Sequence, residues 1–403
     1  KNNRKGSTMY RKFKADQLFD GTKFLEKDSI LITTGDGTVH DIIGETEAGE
    51  GIEPIQGVLT PGLINAHCHL ELSHLKNVIP PHTGLIDFLC SVVTKRDFNP
   101  GQKMEAISKA EKEMDENGIV AVGDICNTAD AIDAKRQSRI CWNSFIEVIS
   151  FTDVNAENAI RHYLTVLEKH KEELEWPNQN VLTPHAPYSI SPKTFEMLNE
   201  ATSEKIISIH NQEHPAEDEL YKTGGGDYLK LFSIFGVNKS PFPITCKSSI
   251  RSYLPHFNKQ QSILLVHNTY MPGEDIDFAN EYANTHTIEL TYCICINANL
   301  YIENKTPPVN EFRKRGCRLV LGTDSYSSNW QLDICREMYT VQKNFPEIPL
   351  AEILCWATSN GATALGQDDR LGSFNKGKKP GLVAISGLEN GKLSESSKAR
   401  RIL

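Results

Sequence analysis

Short apolar runs recur along the chain, and four of them stop at a histidine or an aspartate. Leu63-Ile64-Asn65-Ala66 runs into His67-Cys68-His69, Ile206-Ile207-Ser208-Ile209 into His210, Ile263-Leu264-Leu265-Val266 into His267, and Leu319-Val320-Leu321-Gly322-Thr323 into Asp324. Between such runs the spacing turns helical: Met104, Ile107, Ala110 and Met114 repeat at three and four residues, Gly118 stops them, and a strand-like run follows over 119–124. Further strands are predicted over 145–149, 181–183, 206–209, 263–266, 288–296 and 319–321. With the run before His67 these make eight. Eight strands alternating with helical segments predict an α/β fold of the (β/α)8, TIM-like barrel class over residues 59–360. In that architecture strand C-termini converge on one pocket, so the four polar stops are predicted to meet.

The two ends read differently. Asp36-Gly37 lies between two strand-like runs, a hairpin signal, and 381–385 forms a short apolar strand. The ends are therefore expected to pair into one small β domain from residues 9–58 and 361–403. Gly372 to Lys379 resembles a phosphate-binding loop, but Lys379 stands where Ser or Thr is required, so a turn is expected. Gly224-Gly225-Gly226 reads as a flap over the pocket or an ordinary loop. Tyr221, Phe232, Tyr301 and Trp330 are candidates to stack on a flat ring, although packing is the commoner fate of such residues.

Composition narrows the function classes. The 403 residues include 39% hydrophobic ones, enough for a sizeable core, and no stretch of about 18 apolar residues predicts a membrane span. A formal charge of −9 and a pI near 5.8 argue against a nucleic-acid surface and favour a small-molecule substrate. Ten cysteines without a secretory signal pattern indicate reduced thiols and a cytoplasmic enzyme. Cys293 and Cys295 are expected on one face of a strand, packing in the core. The polar residues before Met9 read as an added leader ahead of a natural start at that methionine.

The polar stops carry the chemistry. A catalytic divalent ion takes neutral imidazole and carboxylate ligands and keeps a position open for water. Histidines two apart on a strand point the same way, so His67 and His69 can share an ion, with His210 and Asp324 as further ligands. An isolated His-x-His is ordinarily structural; the matching strand-end partners reverse that reading. Glu213, three residues beyond His210, is placed to move a proton between water and a ring nitrogen, as hydrolytic deamination requires. His267 could be a fifth ligand, a hydrogen-bond donor orienting the water, or a core histidine; the donor role is preferred. Asp324 can also accept a proton from the attacking water.

Taken together, the chain resembles the amidohydrolase superfamily in its mononuclear deaminase and chlorohydrolase branch. The resemblance rests on Thr60-Pro61-Gly62 through His67-Cys68-His69, His210 with Glu213, His267, Gly322-Thr323-Asp324 with Ser327-Ser328-Asn329, and the glycine- and alanine-rich stretch from Ala357 to Lys378. It implies the barrel, a flanking β-sandwich built from both chain ends, and a single divalent ion on His67, His69, His210 and Asp324, zinc first and iron second. Two-metal relatives carry Lys or an acid at the end of strand four, where this chain has Thr183-Pro184-His185-Ala186-Pro187-Tyr188; a similar segment touches substrate in nucleoside deaminases, which implies contacts from His185 and Tyr188. His69-Leu70-Glu71 is similar to the aminodeoxyfutalosine type of deaminase, in a branch whose resemblance extends to the adenosylhomocysteine type; Glu71 either contacts substrate or caps the following helix. The family often has Cys-Pro where this chain reads Cys295-Ile296, and an Asp where it has Gly381. The expectation is a deaminase of a heteroaromatic base or nucleoside. Alternatives are a chlorohydrolase or amide hydrolase, and, from another class, a metal-binding protein without catalysis. A homodimer is the default assembly for such enzymes.

Overall fold

The computed structural model describes residues 10–175 and 178–403, so the expected start at Met9 lies outside the described residues. Its strands are β1 Tyr10–Leu18, β2 Ser29–Thr34, β3 Val39–Gly44, β4 Ile52–Pro61, β5 Leu63–Cys68, β6 Ile119–Cys126, β7 Cys141–Val148, β8 Gln179–Pro184, β9 Ile206–Asn211, β10 Ser262–His267, β11 Glu289–Ile294, β12 Leu319–Leu321, β13 Leu382–Ser386 and β14 Lys398–Arg401. No described helix is long and apolar enough to cross a membrane. Two compact units divide the chain.

One unit takes the described residues through Ile64, Met114–Ala121 and Asp333–Leu403. Strands from both chain ends join there in a six-stranded sheet of order β14-β13-β4-β1-β2-β3. The sheet is mixed, because β1 runs antiparallel to β2 but parallel to β4. β2 and β3 form the hairpin predicted around Asp36-Gly37, with Gly37 at φ 89° in the turn. Phe13, Leu31, Leu59, Phe374 and Leu382 bury its apolar face. The glycine-rich run before Lys379 is a series of turns with no helix after it, as its missing hydroxyl predicted. It docks on the sheet through Val39, which donates to Lys378 O (2.8 Å) and accepts from Gly377 N (2.9 Å). The helices Ile334–Asn344, Leu350–Ala357 and Ser359–Ala364 also fall in this unit. Arg336 donating to Glu395 O and Leu393 N donating to Gln342 tie the first of them to the C-terminal segment, so the division lies near residue 332, not 360.

The other unit takes Asn65–Glu113 and Val122–Leu332. The eight strands predicted for the central fold are all present, in two four-stranded sheets of order β5-β6-β7-β8 and β9-β10-β11-β12. β7 and β8 are parallel, as are β9 through β12. Every residue of β5, β6 and β7 is buried, the condition of parallel strands covered on both faces, which is why their sequences read as continuous apolar runs. Hydrogen bonds cross both seams between the sheets. At one, His210 N donates to His185 O (3.0 Å) and Thr183 Oγ1 to Ser208 O (2.5 Å). At the other, Thr323 N and Asp324 N both donate to His67 O (3.0 Å), and the Asn65 amide brackets Thr323 through Oγ1 (2.7 Å) and N (3.0 Å).

One strand prediction ran too far. The 288–296 stretch is strand only over Glu289–Ile294; Cys295 is the N-cap of the helix Ile296–Glu303. Both sulfurs nonetheless pack against Gly322, where a Cβ would meet Cys293 Sγ and Cys295 Sγ at 2.9 Å and His67 Cβ at 2.8 Å. Only glycine admits that approach. Ile296 opens its helix at the position where proline is best tolerated, so replacing the family's Pro leaves the helix intact.

A candidate metal centre in an elongated cavity

The predicted polar stops converge. His67 lies in β5 and His69 just after it, His210 near the end of β9, His267 at the end of β10, and Asp324 after β12. His69 Nε2 faces His210 Nε2 at 3.3 Å, and Asp324 Oδ1 lies 3.4 Å from His69 Nε2 and 3.6 Å from His67 Nε2. Ligand atoms about 2.0–2.2 Å from one tetrahedral ion are separated by roughly 3.3–3.6 Å, so these spacings match a shared cation. His67 supplies an independent test. It is 0% exposed, and neither ring nitrogen has a hydrogen-bond partner. A buried imidazole left that way is costly unless something binds it, and a divalent ion at Nε2 fits.

Neighbouring groups prepare the other donors. His210 Nδ1 donates to the carbonyl of His185 (2.7 Å), which leaves the Nε2 lone pair facing the cluster. Burial, with His67 and His185 nearby, pulls His210 down to about 4, and burial likewise lowers His69, so both imidazoles are neutral as ligation requires. Burial works against an ionised Asp324, but the surrounding imidazoles of His67, His69 and His267 hold it well below the usual carboxylate range. Ser328 Oγ donates to Asp324 Oδ2 (2.5 Å), leaving Oδ1 for the cluster.

The backbone is strained at these positions. His267, Asn268 and Asp324 have φ of 71°, 56° and 58°, where side chains other than glycine are rare and cost about 1–3 kcal/mol each. A polar web over-determines them: Asn268 N donates to Asn211 O (3.0 Å), Asn211 Nδ2 to Asn268 Oδ1 (2.9 Å), and Tyr253 OH to Asn211 Oδ1 (2.8 Å). His267 itself accepts from Asn299 Nδ2 at Nδ1 (3.1 Å), so its proton sits on Nε2, 3.6 Å from Glu213 Oε1. Glu213 is 3% exposed, and burial, reinforced by the charges of Asp324, Glu217 and Glu303, pushes its carboxyl well above the usual range.

These groups open on a cavity that also receives His185 and Tyr188. His185 is anchored through Nδ1 to Ser189 Oγ (2.7 Å), and Tyr188 stacks on Tyr228 at 4.2 Å. Glu71 does not share the cavity. Its carboxylate accepts from Asn127 N (3.0 Å), Thr128 N (2.9 Å) and Thr128 Oγ1 (2.9 Å), which corrects its expected role: it fastens the loop after β6, and burial raises it to about 7. The expected ring-stacking residues Tyr221, Phe232, Tyr301 and Trp330 line no part of it either; the first three are buried in an aromatic core, and Trp330 packs edge-on against Tyr301.

Two lining groups escaped the sequence reading. Glu147, next to last in β7, is 2% exposed, with Oε1 unpaired and 3.6 Å from His210 Nδ1. Its only signal was a charged residue inside an apolar run, which was read as a strand continuing to residue 149. Arg96 directly follows the helix Leu85–Lys95, one side of which lines the cavity.

Beneath the cluster a buried ion pair holds the turn that carries His69. Asp124 Oδ1 accepts from Leu70 N (2.8 Å), while Oδ2 pairs with Lys135 Nζ (2.7 Å), both side chains being 0% exposed. Lys135 also reaches Ser144 Oγ (2.9 Å) and Cys126 Sγ (3.1 Å). Removing one partner strands a buried charge, so Lys135→Met is expected to cost about 3–5 kcal/mol of stability. Urea denaturation checks this, and a loss below about 1 kcal/mol would show that Asp124 is not held by its lysine.

This chain resembles known proteins in sequence and in fold. The family model described as "Amidohydrolase family" matches residues 58–403. An aminodeoxyfutalosine deaminase from a Nitratiruptor species is 26% identical over 324 residues, covering 77% of this chain and 74% of the relative. The crystal structure of Helicobacter pylori aminofutalosine deaminase in complex with methylthio-coformycin superposes with a TM-score of 0.76 at 20% identity, over 98% of this chain and 100% of that one. An adenosine deaminase from Xanthomonas campestris with bound zinc gives 0.73 at 19% identity, over 93% and 84%.

Proposed function

We propose, from the premise that this chain belongs to the amidohydrolase family, that it is a metal-dependent hydrolytic deaminase of adenine nucleosides that releases ammonia. The observation that carries the reading is the meeting in one cavity of the unpartnered His67, the facing nitrogens of His69 and His210, the oriented Asp324, and a buried acid, Glu213. The same reading takes the eight strands as a closed (β/α)8 barrel and the six-stranded sheet as the family's flanking β-sandwich. It places the enzyme in the cytoplasm, supported by ten free cysteines.

His67, His69, His210 and Asp324 hold one divalent ion, zinc before iron, since these ligands accept either. When bound, the ion supplies the Lewis acidity that brings water within reach of ionisation near neutral pH. The remaining work falls to side chains. Glu213, kept protonated by burial, donates to the ring nitrogen beside the amino-bearing carbon and so makes that carbon electrophilic. His267 presents Nε2–H to the oxygen developing there, in a tautomer supported by Asn299. Asp324 accepts a proton on the cluster side and returns it to the departing amine. His185 and Tyr188 flank the base.

Metal-loaded enzyme is expected to release ammonia from adenosine and 5′-methylthioadenosine, converting each to its inosine counterpart, and not from guanine, cytosine or aminotriazines. An ammonia assay with the accompanying ultraviolet shift decides it. Turnover confined to guanine or a triazine would sink the adenine-nucleoside reading.

A further inference from the structure

Glu213 belongs to no strand or helix. It lies in the turn between β9 and the helix Pro215–Thr223, so the backbone of its neighbours decides where its carboxyl points. Gln212, immediately before it, is 2% exposed and has a φ of 40°, in the left-handed region that favours glycine. Such a conformation costs about 1–3 kcal/mol and persists only where the surroundings impose it.

Two bonds impose it. Gln212 N donates to Glu217 Oε1 (3.0 Å), and Gln212 O accepts from Tyr270 N (2.9 Å). The first pins the peptide plane before Gln212 and the second the plane after it, which together fix its dihedrals. Asp275 Oδ2 (2.8 Å) and Asp218 Oδ1 (3.3 Å) accept only from the end of its side chain. On the other side of Glu213, His214 caps the helix, with Nδ1 accepting from Ala216 N (3.1 Å) and its carbonyl from Glu217 N (3.1 Å). Both chain neighbours of Glu213 are thereby tied to the first turn of one helix. Glu217 itself is 0% exposed, does not line the cavity, and pairs with no lysine, arginine or histidine among the described residues. A buried carboxyl without a cation costs stability, so what Glu217 contributes is its acceptor.

The geometry points to Glu217 as a positioning residue: by taking the Gln212 amide it sets the turn that aims the Glu213 carboxyl at the reacting ring nitrogen, without meeting the substrate itself. This rests on the deaminase reading, which makes Glu213 the acid. Proton transfer needs heavy atoms about 2.6–3.2 Å apart, and a misplacement of about 1 Å costs on the order of 10²-fold. Loss of the pin therefore falls on kcat and spares binding of the ion and of the nucleoside.

The test measures kcat, KM and bound ion for ammonia release from 5′-methylthioadenosine by the metal-loaded full chain. Glu217→Leu, similar in size but without an acceptor, is expected to lower kcat by about 10- to 100-fold, with KM within about threefold of the parent and the ion retained. Glu217→Gln keeps an oxygen in the same place and is expected to recover most of that loss. Both substitutions remove the same charge, so the difference between them reports the acceptor alone. In a Glu213→Gln background, Glu217→Leu should cost less than about threefold further, because the group it positions is already disabled. Should the leucine variant not fold, Glu217→Ala, which also lacks the acceptor, takes its place in each comparison. A kcat within about threefold of the parent in Glu217→Leu, a Glu217→Gln enzyme as impaired as the leucine variant, or a full further loss in the Glu213→Gln background overturns the assignment while leaving the deaminase intact. A parent enzyme that releases no ammonia overturns the deaminase reading, and the assignment with it.

Discussion

Glu213→Gln is expected to lower kcat for adenine-nucleoside deamination by about 10²- to 10⁴-fold while the divalent ion stays bound, the range that general acid–base groups contribute. The substitution keeps size and polarity, so the packing around a side chain that is 3% exposed is undisturbed. What it removes is the transferable proton. Burial raises the Glu213 carboxyl well above its ordinary range, and the nearby charges of Asp324, Glu217 and Glu303 act in the same direction, so the neutral acid is the form the site favours. An amide can still donate a hydrogen bond to a ring nitrogen, but it cannot release the proton and take it back. Substrate affinity should therefore change much less than kcat. Steady-state kinetics with metal analysis of the same preparation make the check: a kcat within about threefold of the parent, with one ion retained, would mean that Glu213 moves no proton.

Asp324→Asn is expected to weaken metal binding by at least about 100-fold and to take activity to background without added ion. The side chain is nearly isosteric and Ser328 still holds one of its atoms, but the negative charge facing His67 and His69 is gone. Stripping the parent enzyme with a chelator should act in parallel. At ion concentrations of about 100 to 1,000 times Kd, binding stabilises the folded state by about 3–4 kcal/mol, so the stripped enzyme melts lower and one equivalent of zinc restores both Tm and turnover. Elemental analysis returning two ions per chain would contradict the single-ion reading, and an Asp324→Asn enzyme that keeps a full equivalent would remove Asp324 from the ligand set.

Much of this arrangement could be read before any coordinates, for a physical reason. Parallel strands covered on both faces must be continuous apolar runs, so the first polar residue after each run is at or near its C-terminal end. His67, His210, His267 and Asp324 were legible because chemistry begins where the apolar run stops. The same rule failed where apolar sequence outlasts the strand. Ile294 to Ile296 is buried throughout, but hydrogen bonding turns from strand to helix at Cys295, and residue pattern alone does not mark that change. Glu147 was obscured in the opposite way, as a charge that burial tolerates within a run. Glu71 failed for another reason. Its partners, the amides of residues 127 and 128, are more than fifty positions away, and nothing local distinguishes a carboxylate aimed at a ligand from one that ties down a loop. Arg96 was readable in principle, since Leu85, Phe88, Leu89, Val92, Val93 and Arg96 form a 0-3-4-7-8-11 stripe that is plain in the sequence; what could not be read is that the stripe faces space and not another helix.

That stripe also bears on how such an enzyme could change its diet. The residues proposed to perform the reaction come from separate strand ends, and two of them, His267 and Asp324, sit in strained backbone, with Asn268 beside His267 held by hydrogen bonds that also involve Asn211 and Tyr253. Much of the cavity's apolar wall is one face of one eleven-residue helix. Substitutions there at positions 88 or 92 exchange shape along that wall without touching the proton-handling groups. New specificity can therefore be reached in single steps, each leaving the chemistry in working order.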